Sequence, residues 1–234
     1  MRPPLRKGVS EGLILRMGSG WLGARLRSMN PFTTFLRLLL LLSVSAWAAE
    51  FRIDVRIEGA SQAEILLKLD GGIATATVGG EVEQFNLKDQ SWLSGKTGKW
   101  TTLDQCRVWA EQSKTRSLKS VDAAPASVRP FALWSLNPTF EVAKTNDTLR
   151  LTSGQVDYVV EGVASRKGAE DFFRYSVLNA YKKAMTERKL APFAELKALT
   201  EMGRLGHIPR KISTSIPGIP KAPKFEMEIT EIAP

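Results

Sequence analysis

The segment that most constrains the fold is an eight-residue stretch in which apolar and charged residues alternate strictly. At positions 51–58 the odd-numbered residues are Phe, Ile, Val and Ile, and the even-numbered residues are Arg, Asp, Arg and Glu. Because successive side chains of a β-strand point to opposite faces of the sheet, this pattern predicts a strand with one buried face and one wet face. The chain therefore requires a second layer that covers only one side of a sheet.

Several more strands are predicted directly after this one, with turn residues between them. An Asp-Gly-Gly sequence at 70–72 and a Gly-Gly pair at 79–80 supply the positive φ angles that tight hairpin turns require. The predicted strands are 64–69, 73–78 and 82–87, followed by short strands near Trp92 and Trp100. These features predict an antiparallel meander.

The rest of the chain mixes helices with further strands. Thr102 and Gln105 stand at the spacing of a capping box, and apolar residues at three- and four-residue spacing then predict a helix through Arg116. The Ala- and Pro-rich segment 122–138 is predicted to cross the surface, with the aromatic rings of Phe131 and Trp134 turned inward. The remaining predicted elements are strands at 139–144, 148–152 and 156–163, helices at 169–186 and from Pro192 to before Gly206, and strands at 211–216 and 225–229.

This order of elements predicts an α+β fold, in which a curved, half-barrel-like antiparallel sheet has helices packed on one face. Over most of residues 50–234, the architecture resembles the half-barrel of periplasmic lipoprotein carriers. The resemblance implies that acyl chains are held between the sheet and the helices. The pattern from Trp92 to Trp109, and the stretch 188–193 that leads to His207, also resemble uncharacterised exported bacterial proteins, a resemblance that implies no particular activity.

Residues 29–49 have the pattern of a secretory signal peptide. Arg37 precedes five leucines, and Ala46 and Ala48 occupy the two positions that a signal peptidase reads. Cleavage after Ala48 or after Ala49 fits this pattern. The alternative is an uncleaved anchor, but the apolar run 38–48 falls short of the about 20 residues needed to cross a bilayer. The protein is therefore predicted to be exported, to the periplasm or beyond, and to meet the membrane only through this leader.

Residues 1–28 are basic and lack convincing periodicity. Either the coding sequence starts at Met29 and this segment is an over-extended start, or it forms a long basic region before the leader. Residues 50–234 are predicted to form a single α+β domain. Residues 1–49 contribute +6 to the net charge of +9, which leaves +3 for the remainder. A balance of that size gives no support for nucleic-acid binding.

The sequence offers few candidates for catalysis. His207 is the single histidine, which excludes metal sites built from several histidines and paired-histidine chemistry. Cys106 is the single cysteine, and its apolar helical neighbours predict a buried free thiol. A Cys106–His207 dyad is the remaining nucleophilic arrangement, and burial of Cys106 opposes it. We therefore predict a non-enzymatic protein without a cofactor or a bound metal.

Two classes of function remain, and they differ in how the space between the sheet and the helices is filled. In the first, an apolar seam binds an apolar or acyl-chain ligand, with Phe173, Val177 and Tyr181 on the helix 169–186 facing Tyr158 on a strand. In the second, the core is filled, and the domain is structural or docks an envelope protein. A cavity of several hundred cubic ångströms favours the first class, and a closed core favours the second.

Overall fold

A computed structural model describes residues 48–59, 62–95, 97–187, 191–219 and 221–233. The predictions for segment 1–28 and for most of the leader, including Ala46, fall on residues outside these ranges.

The described residues form one large, open antiparallel sheet. Its strands, in chain order, are β1 Ala49–Ile57, β2 Ala63–Asp70, β3 Ile73–Val78, β4 Glu81–Asn86, β5 Ser91–Leu93, β6 Trp100–Thr102, β7 Glu141–Thr145, β8 Thr148–Thr152, β9 Asp157–Ser165, β10 Ile208–Ser215 and β11 Phe225–Ala233. Their order across the sheet is β6-β5-β4-β3-β2-β1-β11-β10-β9-β8-β7. Hairpins connect most neighbours, but the central pair joins the first strand to the last.

The helices lie between β6 and β7 and between β9 and β10. They are α1 Leu103–Ser120, α2 Arg129–Leu136, α3 Ala169–Thr186 and α4 Phe193–Gly203, with a 3₁₀ turn at Val121–Ala123. The predicted capping box at the start of α1 is confirmed. The Gln105 amide donates to the Thr102 hydroxyl at 3.3 Å, and the Thr102 amide donates to the Gln105 side-chain oxygen at 2.9 Å. The two bonds satisfy backbone donors that a helix start otherwise leaves unpaired.

The two faces of the sheet differ as the alternation at 51–58 predicts. Phe51 is fully buried and Ile53 is 3% exposed, whereas Arg52 is exposed. The outer face carries cross-strand ion pairs, namely Arg52–Glu64, Arg56–Glu228, Lys68–Glu50 and Lys211–Glu226. Because these groups are largely exposed, each pair contributes little to stability. The charged face is therefore the solvent side, and the helices cover the opposite face.

The core consists of two clusters on the covered face. In the larger cluster, α1 and α3 pack against β1 to β5, and the ring of Phe85 contacts that of Tyr175 edge-on at a centroid distance of 5.0 Å. In the smaller cluster, Leu151 and Val160 of the distal strands contact Met202 of α4. The predicted fold class, an α+β fold with a curved antiparallel sheet, is confirmed.

Segment 122–138, for which the sequence predicted no helix, contains most of the 3₁₀ turn and the whole of α2. Pro130 suggests a break in the sequence, but it occupies the first turn of α2, where the missing N–H has no helical partner to lose. The aromatics of this segment are half-buried, as predicted, and the Trp134 indole N–H donates to the Thr139 carbonyl at 3.3 Å. None of the helices in the described ranges is long and apolar enough to cross a membrane.

Strand ends were also misplaced. β10 begins at Ile208 rather than at 211, because the strand continues through Pro209 with a register shift at that residue. Proline lacks the N–H that a regular ladder uses, so a shift at this position accommodates it. β11 continues to Ala233, four residues beyond the predicted end, since its whole length pairs with β1.

Candidate functional site

A cavity of about 480 Å³ lies between the covered face of the sheet and the helices. Its size falls within the range of ~300–1,000 Å³ that is typical of sites for small molecules. The sheet contributes mainly apolar side chains to its wall, among them Ile53, Ile65, Ile212 and Met227. Residues of both core clusters, among them Ile53 and Met202, line this space.

Small side chains on the helical side explain why this space stays open. Three alanines line the cavity where α4 crosses the sheet. Ala194 and Ala198 lie on α4, and Ala191 lies two residues before it. Next to the cavity the same layer is filled, since Phe51 of the central strand β1 and Phe172 meet edge-on at 6.1 Å. The helices α1 and α3 pack against β1 to β5, and space remains beside α4, where residues of β1, β2, β9, β10 and β11 line the cavity.

A polar stripe on α3 borders the same cavity. Ser176, Asn179 and Lys183 all line it, and their three- and four-residue spacing places them on one side of the helix. Glu195 of α4 also lines the cavity. Lys183 and Glu195 are the charged side chains among the lining residues that the structure describes.

The carboxyl group of Glu195 is electrostatically unusual. Surrounding protein atoms raise its pKa, because burial penalises the charged form, and the Lys183 ammonium partly offsets this by favouring the charge. The side chains of Glu195 and Lys183 are nevertheless both exposed, so both charges lie where the cavity meets solvent. Burial also raises the pKa of Tyr158, and the nearby Glu195 charge adds to that effect. The cavity therefore combines apolar walls with a small polar region that is exposed to solvent.

A second space, a groove of about 590 Å³, lies on the outer side of α3, between α3, α4 and the start of α1. Val177, Arg174 and Gly203 line it. Phe173 and Leu199 line both the groove and the inner cavity, so these two side chains form part of the wall between the two spaces.

The four residues predicted to form the apolar seam have different positions. Tyr158 and Phe173 line the inner cavity. Val177 lines the outer groove, and Tyr181, at 7% exposed, packs in the larger core cluster. The difference arises because α3 contacts the sheet on one side and α4 on another, so that the buried stripe is wider than the one predicted and includes Phe172. The polar stripe at 176, 179 and 183 was missed, although its helical spacing was visible in the sequence.

The two nucleophilic-site candidates are buried apart from the cavity. Cys106 is fully buried, as predicted, and burial raises the pKa of its thiol while the Trp92 side chain slightly opposes this. His207 is 5% exposed, and its Nδ1 lies 3.2 Å from the Leu205 carbonyl. Each side chain thus has its own polar neighbour, and the dyad is not formed. Within the described ranges, no cluster of three or more His, Cys, Asp or Glu side chains is placed to hold a metal ion.

Comparison of the chain with models of protein families finds no match, and comparison with curated proteins finds none either. A proposal about function must therefore be argued from the geometry of the cavity and the pattern of the sequence.

Proposed function

We propose that this protein is an exported, non-enzymatic carrier that binds an apolar or acyl-chain ligand in the cavity between sheet and helices. The observation that supports this proposal best is the cavity of about 480 Å³ with largely apolar walls. A domain whose role is only structural gains stability by filling such a space to native density, because unfilled volume costs packing energy. A bound apolar chain would restore those contacts.

The position of the cavity agrees with the resemblance drawn from the sequence. That resemblance implies an acyl chain between the sheet and the helices, and the cavity lies in this layer. The volume is in the lower half of the range for ligand sites, which favours one chain over several. Export is proposed from the leader sequence, with its leucine run and the Ala46 and Ala48 positions.

The test is binding of an environment-sensitive dye to the folded protein, followed by displacement with a long-chain fatty acid. In the variant Ala194→Trp, a large ring is placed on the cavity wall, and dye binding should fall at least tenfold. The matched control is Ala143→Trp on the exposed strand β7, which should bind the dye as the wild type does. If the wild type does not bind the dye, or if Ala194→Trp binds it unchanged, the carrier proposal fails.

The second candidate is an interaction domain of the cell envelope, and the edge strand β7 favours it. β7 lies at one end of the sheet order, and all five of its residues are exposed, including Val142 at 52%. An exposed edge offers unpaired backbone groups to a strand from another protein. Cross-linking in an envelope extract should then yield a discrete adduct that the variant Val142→Lys loses. Retention of the adduct in that variant would contradict docking at this edge.

A further inference from the structure

The two ends of the inner cavity differ in their exposure. At one end the lining side chains of Lys183 and Glu195 are exposed, so the cavity opens to solvent there. At the other end the lining residues Ile53 and Phe172 are each 3% exposed, and Phe172 packs against Phe51 beyond the cavity. The cavity therefore has a mouth and a closed inner end.

The sheet gives one measure of the depth of the cavity, because the lining residues stand in successive rows across neighbouring strands. Ile53 pairs with Ile229 of β11, and the lining residues Met227 and Phe225 follow at alternate positions toward the start of that strand. Ile216 lines the cavity just past the end of β10, one row beyond Phe225. At about 3.4 Å per residue, the three steps between these four rows cover about 20 Å.

The helical wall gives a similar length. The lining of α3 runs from Phe172 at the closed end to Lys183 at the mouth. At a rise of 1.5 Å per residue, this distance along the helix is about 16 Å. One acyl chain of a bilayer covers about 15 Å, which is half of the hydrocarbon core. The depth of the cavity therefore matches one chain of the length found in membrane lipids.

A thin partition separates the closed end from the outer groove. Phe173 and Leu199 line both spaces, so the partition at this point is a single layer of side chains. The ring of Phe173, which is half-buried, lies against Gly203 of α4, where a Cβ would stand 3.7 Å from it. Because Gly203 lines the groove and has no side chain, open space lies directly behind the Phe173 ring.

We propose that this cavity selects its ligand by chain length, with Phe173 as the residue that stops the tail and with the head group in solvent at the mouth. This inference rests on the proposed function and specifies which acyl chains the protein accepts. Each methylene that enters the apolar cavity gains free energy by leaving water, whereas a longer chain must either overpack the closed end or remain partly outside. Because charges at the mouth are hydrated, they interact only weakly with a head group.

The experiment is displacement of the bound dye by saturated fatty acids of 8, 12, 16 and 20 carbons, each used below the concentration at which it aggregates. For the wild type, the affinity should rise about fourfold per added methylene among the shorter chains and should stop rising at 16 carbons. Phe173→Ala should open the closed end into the groove, so that the 20-carbon acid binds about tenfold or more tightly than it does to the wild type. Ser176→Phe should lower the limit to 12 carbons or fewer, because only about 10 Å of α3 separates this position from Lys183.

The matched control is Phe193→Ala, which should keep the wild-type limit. Phe193 is a half-buried ring in the first turn of α4, covered by the Lys114 ammonium at 5.4 Å from its centroid, and it lines neither of the two spaces.

Three outcomes would overturn the inference. Affinity that keeps rising to 20 carbons in the wild type, or a limit that Phe173→Ala leaves unchanged, would overturn the selection by length while the carrier proposal stands. A 16-carbon alkylamine or monoacylglycerol that differs from the 16-carbon acid by more than about tenfold would overturn the placement of the head group in solvent. If the folded protein does not bind the dye, the carrier proposal and this inference fail together.

Discussion

Two adjacent phenylalanines on α3 provide a direct measure of whether the layer between sheet and helices is open. Phe172 is 3% exposed and packs edge-on against Phe51 in the larger core cluster. Phe173 is only half-buried, and it borders the inner cavity on one side and the outer groove on the other. Phe172 borders only the inner cavity, so the same substitution at the two positions compares a fully packed ring with a half-buried one, within the same helical turn.

We expect Phe172→Ala to lower the free energy of unfolding by about 3–5 kcal/mol, the usual cost of removing a packed aromatic ring. Phe173→Ala should cost only about 1–2 kcal/mol, because its ring already borders empty space and loses fewer contacts. Removing Phe173 also removes part of the wall between the two spaces. Dye binding to this variant should therefore be retained, and bulkier ligands should bind better than they do to the wild type.

Urea denaturation followed by tryptophan fluorescence gives both free energies, and dye titration of the folded variants gives the binding. Equal losses of stability at the two positions would show that Phe173 is as well packed as Phe172, and the reasoning about an open seam would then be wrong. Loss of dye binding in Phe173→Ala, with the fold intact, would mean that this ring contacts the ligand directly.

Three further predictions concern other parts of the chain. Cleavage of the proposed leader should leave a protein that begins at Ala49, because Ala49 is 2% exposed and already pairs with Leu69 as the first residue of β1; an intact mass that begins at Glu50 would contradict this. Cys106 should react with a water-soluble thiol reagent slowly in the native protein and rapidly in urea, since the thiol is fully buried; rapid native labelling would contradict burial. Burial raises the pKa of Glu195 in the folded state, so this group should make the protein less stable as the pH rises from the unfolded pKa through the folded pKa. Glu195→Gln should therefore raise the melting temperature at pH 7 and have little effect near pH 4, and a stabilisation that is independent of pH would refute this assignment.

The sheet was predictable because its signals are local. The alternation at 51–58 and the glycines of the hairpins each determine a strand or a turn from a few neighbouring residues. Segment 122–138 was mispredicted because a proline indicates a helix start as readily as a chain break. The length of β11 depends on pairing with β1, which is distant in sequence and leaves no local pattern.

The cavity was predictable only as one of two alternatives. Helical periodicity identified α3 and the part of it that contacts the sheet, and Tyr158 and Phe173 do line the cavity. Whether space remains there depends on the sizes of side chains that different elements bring together. The alanines of the α4 region keep the space open, and their effect cannot be judged before their partners across the layer are known. The Lys183 and Glu195 arrangement depends on the packing of α3 against α4 in the same way.

The pairing of the first strand with the last has a consequence for how this chain acquires its structure. β1 and β11 are neighbours at the centre of the sheet, so the two halves of the sheet are joined through two strands that are far apart in the sequence. The meander β1 to β6 can form early, but its edge at β1 has no partner until almost the whole chain is present. Bringing β1 and β11 together restricts a long loop, and this loss of chain entropy precedes the contacts that offset it. Assembly of the complete sheet should therefore be slow and should follow synthesis rather than accompany it. Until then the exposed edge of β1 is a site for mispairing with other chains.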